Sequence, residues 1–446
     1  MNYADKFTNV TVLGAAGKMG SGILLLTAME MTDLSLKPEN RGKQFVINAV
    51  DVSSDALLGL MGYVRAQVLK AAEKKVVILR ELYKERSDLI ENGEIIGQYI
   101  DDVMLRIRPT LNLDTAFDST LIFEAIKEDP KLKVQILSYI NKNSKTIPWF
   151  FTNTSSIPIG ELDADAGLGG KILGVHFYNP PAVQRLVEII KGENTLDDLV
   201  NFAVMYSKNL RKVVVPSNDF AGFIGNGHFM RDALYGIREA EKLAEKRTLA
   251  HGIYMVNKIT QDWLIRPMGI FQLIDYVGID VCQYIMSVMD PYLPDEELHS
   301  ELLDEMVTKQ GISGGQNSDG SQKDGFLKYE KNRPVAVFDV KMKQYVPFSD
   351  IENECDDALG QPPASVKPWK SVIGEADKED YFTRFFNEMK QTGSYGAELA
   401  MNYSNRSKEI GKKLVADGVA QNQEDVNAVL LTGFYHAYGP INNYLD

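Results

Sequence analysis

The chain has 446 residues, of which 44% are hydrophobic and 24% charged, and this composition excludes a disordered or fibrous protein. Its formal net charge of −13 argues against a general nucleic-acid-binding protein, because such proteins carry net or clustered positive charge. No apolar run approaches the roughly 20 residues of a membrane-spanning helix, so we expect no membrane insertion. Two cysteines, Cys282 and Cys355, cannot form a disulfide framework, and we expect a cytoplasmic protein without a signal peptide.

The first predicted element is a buried strand followed by a glycine-rich turn and a helix. Residues Asn9 to Leu13 are mostly β-branched and apolar, and a helix-forming run begins near Ile23. The spacing Gly-x-x-Gly-x-x-Gly between them lets a pyrophosphate approach the backbone, where a helix N-terminus supplies N–H groups. This order predicts a dinucleotide site with the following candidate residues: Gly14, Gly17, Met19 and Gly20. Taken alone, the same pattern also fits a tight turn without a ligand.

An acidic residue at the tip of the second predicted strand indicates which dinucleotide binds. The strand over residues 44–50 is apolar and ends at Asp51, and no arginine follows. A carboxylate at this point accepts hydrogen bonds from ribose hydroxyls and repels a 2′-phosphate. The spacing from Gly20 exceeds the usual ~20 residues, and a polar inserted loop over residues 33–43 accounts for the excess. We therefore predict NAD as the cofactor.

The remaining N-terminal half alternates between predicted helices and strands. A charged helical stretch comes first, over residues 55–88, and short apolar strands follow it at 120–124, 148–153, 171–175, 187–191 and 212–215. This alternation predicts an α/β domain of the Rossmann type over residues 1–217, with a parallel sheet covered by helices on both faces. The rest of the chain divides into a helical domain, a β-hairpin extension and a second helical region, placed at 218–332, 333–350 and 351–446.

Polar residues at the ends of these strands form the candidate catalytic set. His176 follows the strand predicted at 171–175, at the edge of a parallel sheet where ligands bind. It belongs to a series of motifs: Glu124-Ala125-Ile126-x-Glu128, Asn153-Thr154-Ser155-Ser156, His176-Phe177-x-Asn179-Pro180, Leu186-Val187-Glu188, Gly222-Phe223-Ile224-x-Asn226, Pro267-Met268-Gly269 and Asp324-Gly325-Phe326-x-x-Tyr329. In order and spacing, this series resembles the 3-hydroxyacyl-CoA dehydrogenases of fatty-acid β-oxidation over nearly the whole chain.

The resemblance implies a reaction and a role for each candidate residue. The reaction is the reversible, NAD-dependent oxidation of an (S)-3-hydroxyacyl-CoA to a 3-ketoacyl-CoA. His176 would take the hydroxyl proton, since a neutral imidazole is a suitable base near pH 7, and Glu188 would orient its ring. Ser155 and Asn226 would orient the substrate oxygen. A separate pair, Glu128 and Lys133, matches positions near the nicotinamide end of NAD, and a surface pair at a helix start explains these two residues equally well.

The sequence leaves two other functions open. The first is a dehydrogenase of a hydroxy acid that is not attached to CoA, as in the gulonate dehydrogenases. Four basic residues favour the CoA ester instead: Arg65, Lys70, Lys74 and Lys75. The second is a non-catalytic subunit of a β-oxidation complex, against which the intact His176–Glu188 pair argues. We predict no metal, because the five histidines lack a ligand spacing such as His-x-x-x-His.

The C-terminal region contains a candidate repeat. Its end, from Gly433-Phe434-Tyr435 to Gly439-Pro440, resembles the second copy of the helical domain in longer members of the same family. We expect residues 351–446 to be a degenerate second copy, with an unrelated helical cap as the alternative. Short members bury this domain against a second subunit, so an internal copy favours a monomer over a homodimer. Other β-oxidation enzymes are candidate partners.

Overall fold

The chain divides into two compact units in the computed structural model, which describes residues 2–317 and 320–446. The units are Met1–Asp219 and Phe220–Asp446. The first domain boundary expected from the sequence, after residue 217, lies just before this division. Residues 318 and 319 belong to the expected helical domain and lie outside the described residues.

The first unit is built on one eight-stranded sheet with the order β3-β2-β1-β4-β5-β6-β7-β8. The strands are β1 (Asn9–Leu13), β2 (Val46–Val50), β3 (Ile107–Thr110), β4 (Leu121–Glu124), β5 (Trp149–Thr152), β6 (Ile172–Phe177), β7 (Leu186–Lys191) and β8 (Val213–Asn218). The helices are α1 (Lys18–Ser35), α2 (Ser54–Lys74), α3 (Val76–Leu82), α4 (Asn92–Arg106), α5 (Pro130–Asn143), α6 (Ile159–Ala166) and α7 (Asp197–Asn209).

The central strands are buried and mostly apolar, as expected for a sheet covered by helices on both faces. Every residue of β4, β5 and β6 is buried. The strand order reverses between β1 and β4, and such a reversal opens the crevice in which α/β proteins bind nucleotides. The prediction of a Rossmann-type α/β domain followed by a mostly helical region is confirmed.

The structure differs from the prediction for this unit in four details. β7 runs antiparallel to β6, because residues 178–185 between them are too few for the crossover helix that a parallel return needs. The helical stretch expected over 55–88 is two helices, α2 and α3. The sequence does not predict the edge strand β3, since Pro109 and an exposed neighbour weaken its strand pattern. His176 lies within β6 instead of after it.

The second unit is mostly helical and carries one small sheet. Its helices are α8 (Gly225–Ala244), α9 (Leu249–Lys258), α10 (Ile270–Val277), α11 (Ile279–Met289), α12 (Glu301–Asp304), α13 (Phe348–Leu359), α14 (Trp369–Val372), α15 (Lys378–Thr392), α16 (Tyr395–Ala416) and α17 (Gln423–Gly433). Its strands are β9 (Leu327–Glu330), β10 (Arg333–Asp339) and β11 (Gln344–Pro347). The hairpin expected over 333–350 is present as β10 and β11, with β9 as a third strand, and residues 348–350 begin α13.

A buried carboxylate joins this sheet to the helices. Asp275, near the end of α10, accepts the backbone N–H groups of Phe326 at 2.7 Å and Leu327 at 2.9 Å. It also accepts the Tyr329 hydroxyl at 3.0 Å. Gly325 lies so close that a Cβ atom there would overlap the carboxylate. The motif Gly325-Phe326-x-x-Tyr329 is therefore an anchoring device for the sheet.

Two stretches of the second unit share the same local structure. Three pairs of residues stand 170 positions apart: Asn257 and Asn427, Ile265 and Tyr435, Gly269 and Gly439. Each asparagine accepts a backbone N–H from further along the chain, Asn257 from Gln272 in the first turn of α10 and Asn427 from Ile441. Each glycine lies where a Cβ atom would overlap that asparagine. The middle residues both have a left-handed backbone, with φ of 52° and 56°. Gly236 of α8 packs against Ile270, and Gly411 of α16, 175 positions later, packs against Ile441.

The helices α8 and α16 pack against each other through exchanged contacts. His228 Nε2 lies 3.2 Å from the Ser407 carbonyl oxygen. The Tyr403 hydroxyl donates to the Asp232 carbonyl oxygen at 2.8 Å. His228 and Tyr403 are 175 positions apart, and so are Asp232 and Ser407. In each contact the side chain of the first pair reaches the carbonyl oxygen of the second pair on the opposite helix. An exchange of this kind is what a two-fold relation between the two helices would produce.

Two further observations concern the environment of the chain. No helix among the described residues is long and apolar enough to cross a membrane. Both cysteines are buried thiols in the second unit, and neither forms a disulfide.

Candidate active site

The glycine turn lies between β1 and α1 and exposes bare backbone. Gly14 has φ of 71°, which glycine adopts without strain, and a Cβ atom there would lie 2.5 Å from the Ala125 carbonyl oxygen. A Cβ atom on Gly20 would overlap the Gly14 carbonyl oxygen. Gly17 precedes α1 and has no side chain with which to cap it, so the N–H groups of the first turn, from Lys18 onwards, suit an anionic ligand.

The carboxylate of Asp51 lies beside this turn. Its Oδ2 accepts the Ala16 N–H at 2.9 Å, and its Oδ1 accepts the Val52 N–H at 2.8 Å. Met19 lies in the first turn of α1 and packs against the core of the first unit. The predicted cofactor residues of the turn and Asp51 are therefore close together. Bare backbone, a helix N-terminus and a carboxylate fit the pyrophosphate and ribose of NAD.

His176 and Glu188 meet because their strands pair. The two residues are directly opposite in the antiparallel register of β6 and β7, which places their side chains side by side on one face of the sheet. Nδ1 of His176 lies 3.1 Å from Oε2 of Glu188. Both side chains are buried, and Glu188 has no exposed surface. Since Nδ1 is engaged by the carboxylate, Nε2 is the ring nitrogen that can exchange a proton with a substrate.

A third side chain joins this pair and was missed by the sequence analysis. The Tyr178 hydroxyl donates to Glu188 Oε2 at 2.7 Å, the oxygen that also faces His176. The rings of Tyr178 and His176 are 4.8 Å apart between centroids. Burial, and then the adjacent Glu188 charge, raises the pKa of Tyr178 well above its ordinary value, so its hydroxyl remains a donor. The motif His176-Phe177-x-Asn179-Pro180 does not specify the residue at position 178, so it does not indicate a role for Tyr178.

A buried ion-pair cluster lies at the end of β4. Lys133, only 1% exposed, donates to Glu124 Oε1 at 2.7 Å and lies 3.1 Å from Glu128 Oε2. Thr152 also donates to Glu124, at 2.6 Å. Burial opposes the charge of Lys133, but the two carboxylates outweigh it and raise its pKa. The alternative of an exposed surface pair is therefore wrong for Lys133.

Glu128 also organises the loop after β5. Its Oε1 accepts the Thr154 hydroxyl at 2.5 Å, the Ser155 N–H at 2.9 Å and the Ser156 hydroxyl at 3.0 Å. Burial alone would raise the pKa of Glu128, but Lys133 and these hydrogen bonds hold it below its ordinary value. The sequence predicts Ser155 and Glu128 as site residues, but not that they contact each other. The hydrogen bonds of Glu128 to this loop connect them in the structure. The three consecutive hydroxyl-bearing residues 154–156 were the feature of the sequence that could have indicated a nearby carboxylate.

The same loop is tied to the strand that carries His176. The Phe177 N–H donates to Asn153 Oδ1 at 2.8 Å, which links the end of β5 to β6. The first unit thus brings together Ser155, His176 and Glu188 around the ends of adjacent strands.

Asn226 belongs to the second unit. It is the second residue of α8 and follows a tight turn in which Gly222 has φ of 83°. A Cβ atom on Gly222 would lie 2.5 Å from Met289 Sδ, so this position requires glycine. The local packing of the turn explains why the motif Gly222-Phe223-Ile224-x-Asn226 begins with glycine.

The basic residues that favoured CoA in the sequence differ in their surroundings. Lys75 is engaged inside the first unit, since its ammonium donates to Asp33 at 2.9 Å and to the Tyr99 hydroxyl at 2.6 Å. It is therefore not a phosphate contact. Arg65 lies 3.4 Å from Asp101 on the surface, and Lys70 and Lys74 are exposed. Within the described residues, no three His, Cys, Asp or Glu side chains form a group that could hold a metal ion.

Comparison with known proteins identifies the family. A family model described as the NAD binding domain of 3-hydroxyacyl-CoA dehydrogenase matches residues 9–220, and one described as its C-terminal domain matches residues 222–324. A glycine turn at a helix N-terminus, an acidic residue at the tip of β2, a histidine–carboxylate pair and a helical second unit fit an NAD-dependent oxidoreductase of this kind. The chain belongs to the 3-hydroxyacyl-CoA dehydrogenase family. The predicted family, cofactor and enzyme class are confirmed.

Curated relatives and solved structures agree with this assignment. A probable 3-hydroxyacyl-CoA dehydrogenase of Caenorhabditis elegans is 28% identical over 332 residues, which are 73% of this chain and 94% of that protein. A probable 3-hydroxybutyryl-CoA dehydrogenase of Bacillus subtilis strain 168 is 25% identical over 72% of this chain and 97% of its own. The crystal structure of Escherichia coli K12 3-hydroxybutyryl-CoA dehydrogenase has the same fold, with a TM-score of 0.64 and 20% identity over 97% of this chain and 90% of its own.

Proposed function

We propose that the chain oxidises (S)-3-hydroxyacyl-CoA to 3-ketoacyl-CoA reversibly, with His176 as the general base and Glu188 as the residue that orients it. The observation that carries this proposal is the 3.1 Å contact between His176 Nδ1 and Glu188 Oε2 in a buried position. The carboxylate holds the proton of the neutral imidazole on Nδ1, so the lone pair of Nε2 receives the proton of the substrate hydroxyl. The same carboxylate stabilises the imidazolium that results.

The substrate oxygen needs positioning as well as a base. Ser155 is held by the hydrogen bond from its N–H to Glu128, which fixes the loop that presents its hydroxyl. We assign Ser155 and Asn226 the orientation of the substrate oxygen, on the basis of the motifs that contain them. When bound, NAD supplies the acceptor for the hydride of the substrate carbon. The glycine turn and Asp51 would hold its pyrophosphate and ribose, and Glu128 and Lys133 are the residues we assign to the nicotinamide end, on the basis of the motif that they match.

A steady-state assay with matched histidine variants tests the base. With acetoacetyl-CoA and NADH, we expect His176→Gln to lower kcat by about 10²- to 10⁴-fold, which is the usual contribution of a general base. The matched control is His299→Gln, because His299 is a surface histidine that pairs with Asp304 at 2.8 Å. Its activity should equal that of the wild type. Full activity of His176→Gln would remove His176 from the mechanism.

The same assay separates the acyl-CoA ester from a substrate without CoA. We expect turnover with acetoacetyl-CoA and longer 3-ketoacyl-CoA esters, and little with free acetoacetate or a gulonate. The family models and the names of the relatives support the ester. Turnover of a sugar acid without any ester would favour the gulonate-type alternative. Absence of all turnover, with NADH still bound, would favour a non-catalytic subunit.

We also propose that the chain is a monomer with an internal pseudo-dimer, in which α16, α17 and the final loop are a degenerate second helical copy. The repeated positions around Asn257 and Asn427 and the exchanged contacts of α8 and α16 support this proposal. Light scattering at low micromolar concentration should give the mass of one chain, 49.9 kDa. A tight homodimer would contradict it.

We propose the cytoplasm as the location of the chain, because two buried thiols without a disulfide suit a reducing compartment. Cell fractionation tests this location, and recovery with an extracellular or periplasmic fraction would contradict it. We further propose association with other enzymes of β-oxidation, to be tested by co-purification from the native organism with and without cross-linking.

A further inference from the structure

We propose that Tyr178 is a positioning residue of the reaction, which shares Glu188 Oε2 with His176 and thereby tunes how strongly His176 holds its proton. The inference deepens the proposed function and rests on the roles of His176 and Glu188 in it. Tyr178 is not part of the motif by which the family is recognised, since that motif leaves its position open.

The geometry places two donors on one carboxylate oxygen. The Tyr178 hydroxyl oxygen lies 2.7 Å from Glu188 Oε2, and His176 Nδ1 lies 3.1 Å from the same atom. The tyrosine contact is therefore the shorter of the two. The tyrosine ring also lies against the imidazole, 4.8 Å away between centroids and tilted by 42°. One side chain thus touches both members of the pair.

The surroundings shield this arrangement from water. Glu188 has no exposed surface, and His176 is 8% exposed, so water competes little for these hydrogen bonds. Burial and the Glu188 charge raise the pKa of Tyr178 well above its ordinary value, so the hydroxyl does not lose its proton near neutral pH. Tyr178 is therefore a fixed donor to Glu188.

When a carboxylate oxygen accepts a hydrogen bond from a second donor, its interaction with the first donor becomes weaker. The negative charge of Glu188 Oε2 is partly neutralised by the Tyr178 hydroxyl, so less of it remains to stabilise a protonated His176. Glu188 therefore stabilises the imidazolium of the reaction less than it would without the tyrosine hydroxyl.

The test is the pH profile of kcat/KM for Tyr178→Phe, which removes the hydroxyl and keeps the ring. In the oxidation direction, with 3-hydroxybutyryl-CoA and NAD, we expect the midpoint of the acidic limb to move up by about 0.5 to 1 pH unit, a threefold to tenfold change in proton affinity. In the reduction direction the alkaline limb should move up by the same amount. The KM for NAD should not change.

Two controls identify the cause of such a shift. Tyr206→Phe also removes a buried tyrosine hydroxyl, one that is bonded to Thr27 Oγ1 at 2.7 Å, and it should leave the profile unchanged. In a Glu188→Gln background, adding Tyr178→Phe should produce no further shift, because the shared charge is gone. A shift of the same size in that background would overturn the proposal.

A conservative replacement keeps the test decisive if Tyr178→Phe folds poorly. Fluorotyrosine at position 178 retains the shape of the residue and makes its hydroxyl a stronger donor, so the acidic limb should move to lower pH. Profiles of both variants that coincide with the wild type would overturn the role of Tyr178. If His176→Gln is inactive at the same time, the proposed function stands and only this inference fails. If His176→Gln is fully active, the proposed base itself is wrong.

Discussion

Replacing Lys133 by methionine should destabilise the first unit severely, because it leaves buried carboxylates without their cation. The ammonium lies 2.7 Å from Glu124 and 3.1 Å from Glu128, and the side chains of Lys133 and Glu124 are 1% and 0% exposed. Removing one partner of a buried pair typically costs about 3–5 kcal/mol. For a folding unit of this size, 1 kcal/mol corresponds to about 2–4 °C. We therefore expect the melting temperature of the first unit to fall by about 10 °C.

Calorimetry and urea unfolding followed by circular dichroism measure this effect. The matched control is Lys145→Met, because Lys145 pairs with Asp118 at 3.1 Å on the surface, with side-chain exposures of 68% and 54%. Such an exposed pair contributes about 0–1 kcal/mol. Lys133→Met combined with Glu124→Gln should recover part of the loss. If Lys133→Met and Lys145→Met unfold within about 1 kcal/mol of each other, the argument from burial is wrong.

Three further predictions concern separate parts of the chain. Burial, with help from nearby arginines, lowers the pKa of His228 from 6.5 to about 4, so its neutral form contributes stability above pH 6.5 that is lost as the pH falls towards 4. His228→Gln should therefore flatten the pH dependence of urea unfolding over this range, by up to about 3 kcal/mol, and an unchanged slope would contradict this. Asp51→Ser should raise the ratio of kcat/KM with NADPH to that with NADH by about tenfold or more, because a repulsive charge is removed, and steady-state assays with both cofactors would show it. Asp275→Asn should lower stability by about 2–4 kcal/mol, since an amide cannot accept all three hydrogen bonds to the carboxylate; Asp280→Asn, at an exposed helix start, is the control for the urea measurements.

The parts of the fold that local sequence specifies could be predicted. The strand, glycine turn and helix at the N-terminus follow from neighbouring residues, and so does Asp51 at the tip of β2. The motif spacing between His176 and Glu188 also carries structural meaning, because an antiparallel return over residues 178–185 places them opposite each other. Both residues are predicted from the sequence, although β7 was expected to run parallel to its neighbours.

The missed features depend on contacts between distant segments. Nothing near Tyr178 shows that its hydroxyl reaches Glu188 across a strand pair, because that contact exists only once the two strands are in register. Lys133 resembles a surface lysine at a helix start, and only the folded position of α5 buries it between two carboxylates. Tertiary packing determines the contact of Tyr178 and the burial of Lys133, and neither follows from residue propensity or from the periodicity of the sequence.

The exchanged packing of α8 and α16 has a consequence for how this region can change over time. In a symmetric dimer, one substitution alters both sides of the interface, so every residue must be compatible with its own image. Here the corresponding positions differ: Asp232 and Arg266 form an ion pair at 2.7 Å, while the matching positions hold Ser407 and His436. The chain thus buries this charged pair once, where a symmetric assembly would desolvate it twice, at several kcal/mol per ion. In the arrangement that we propose, with two helical copies in one polypeptide, each side of the contact can acquire its own chemistry.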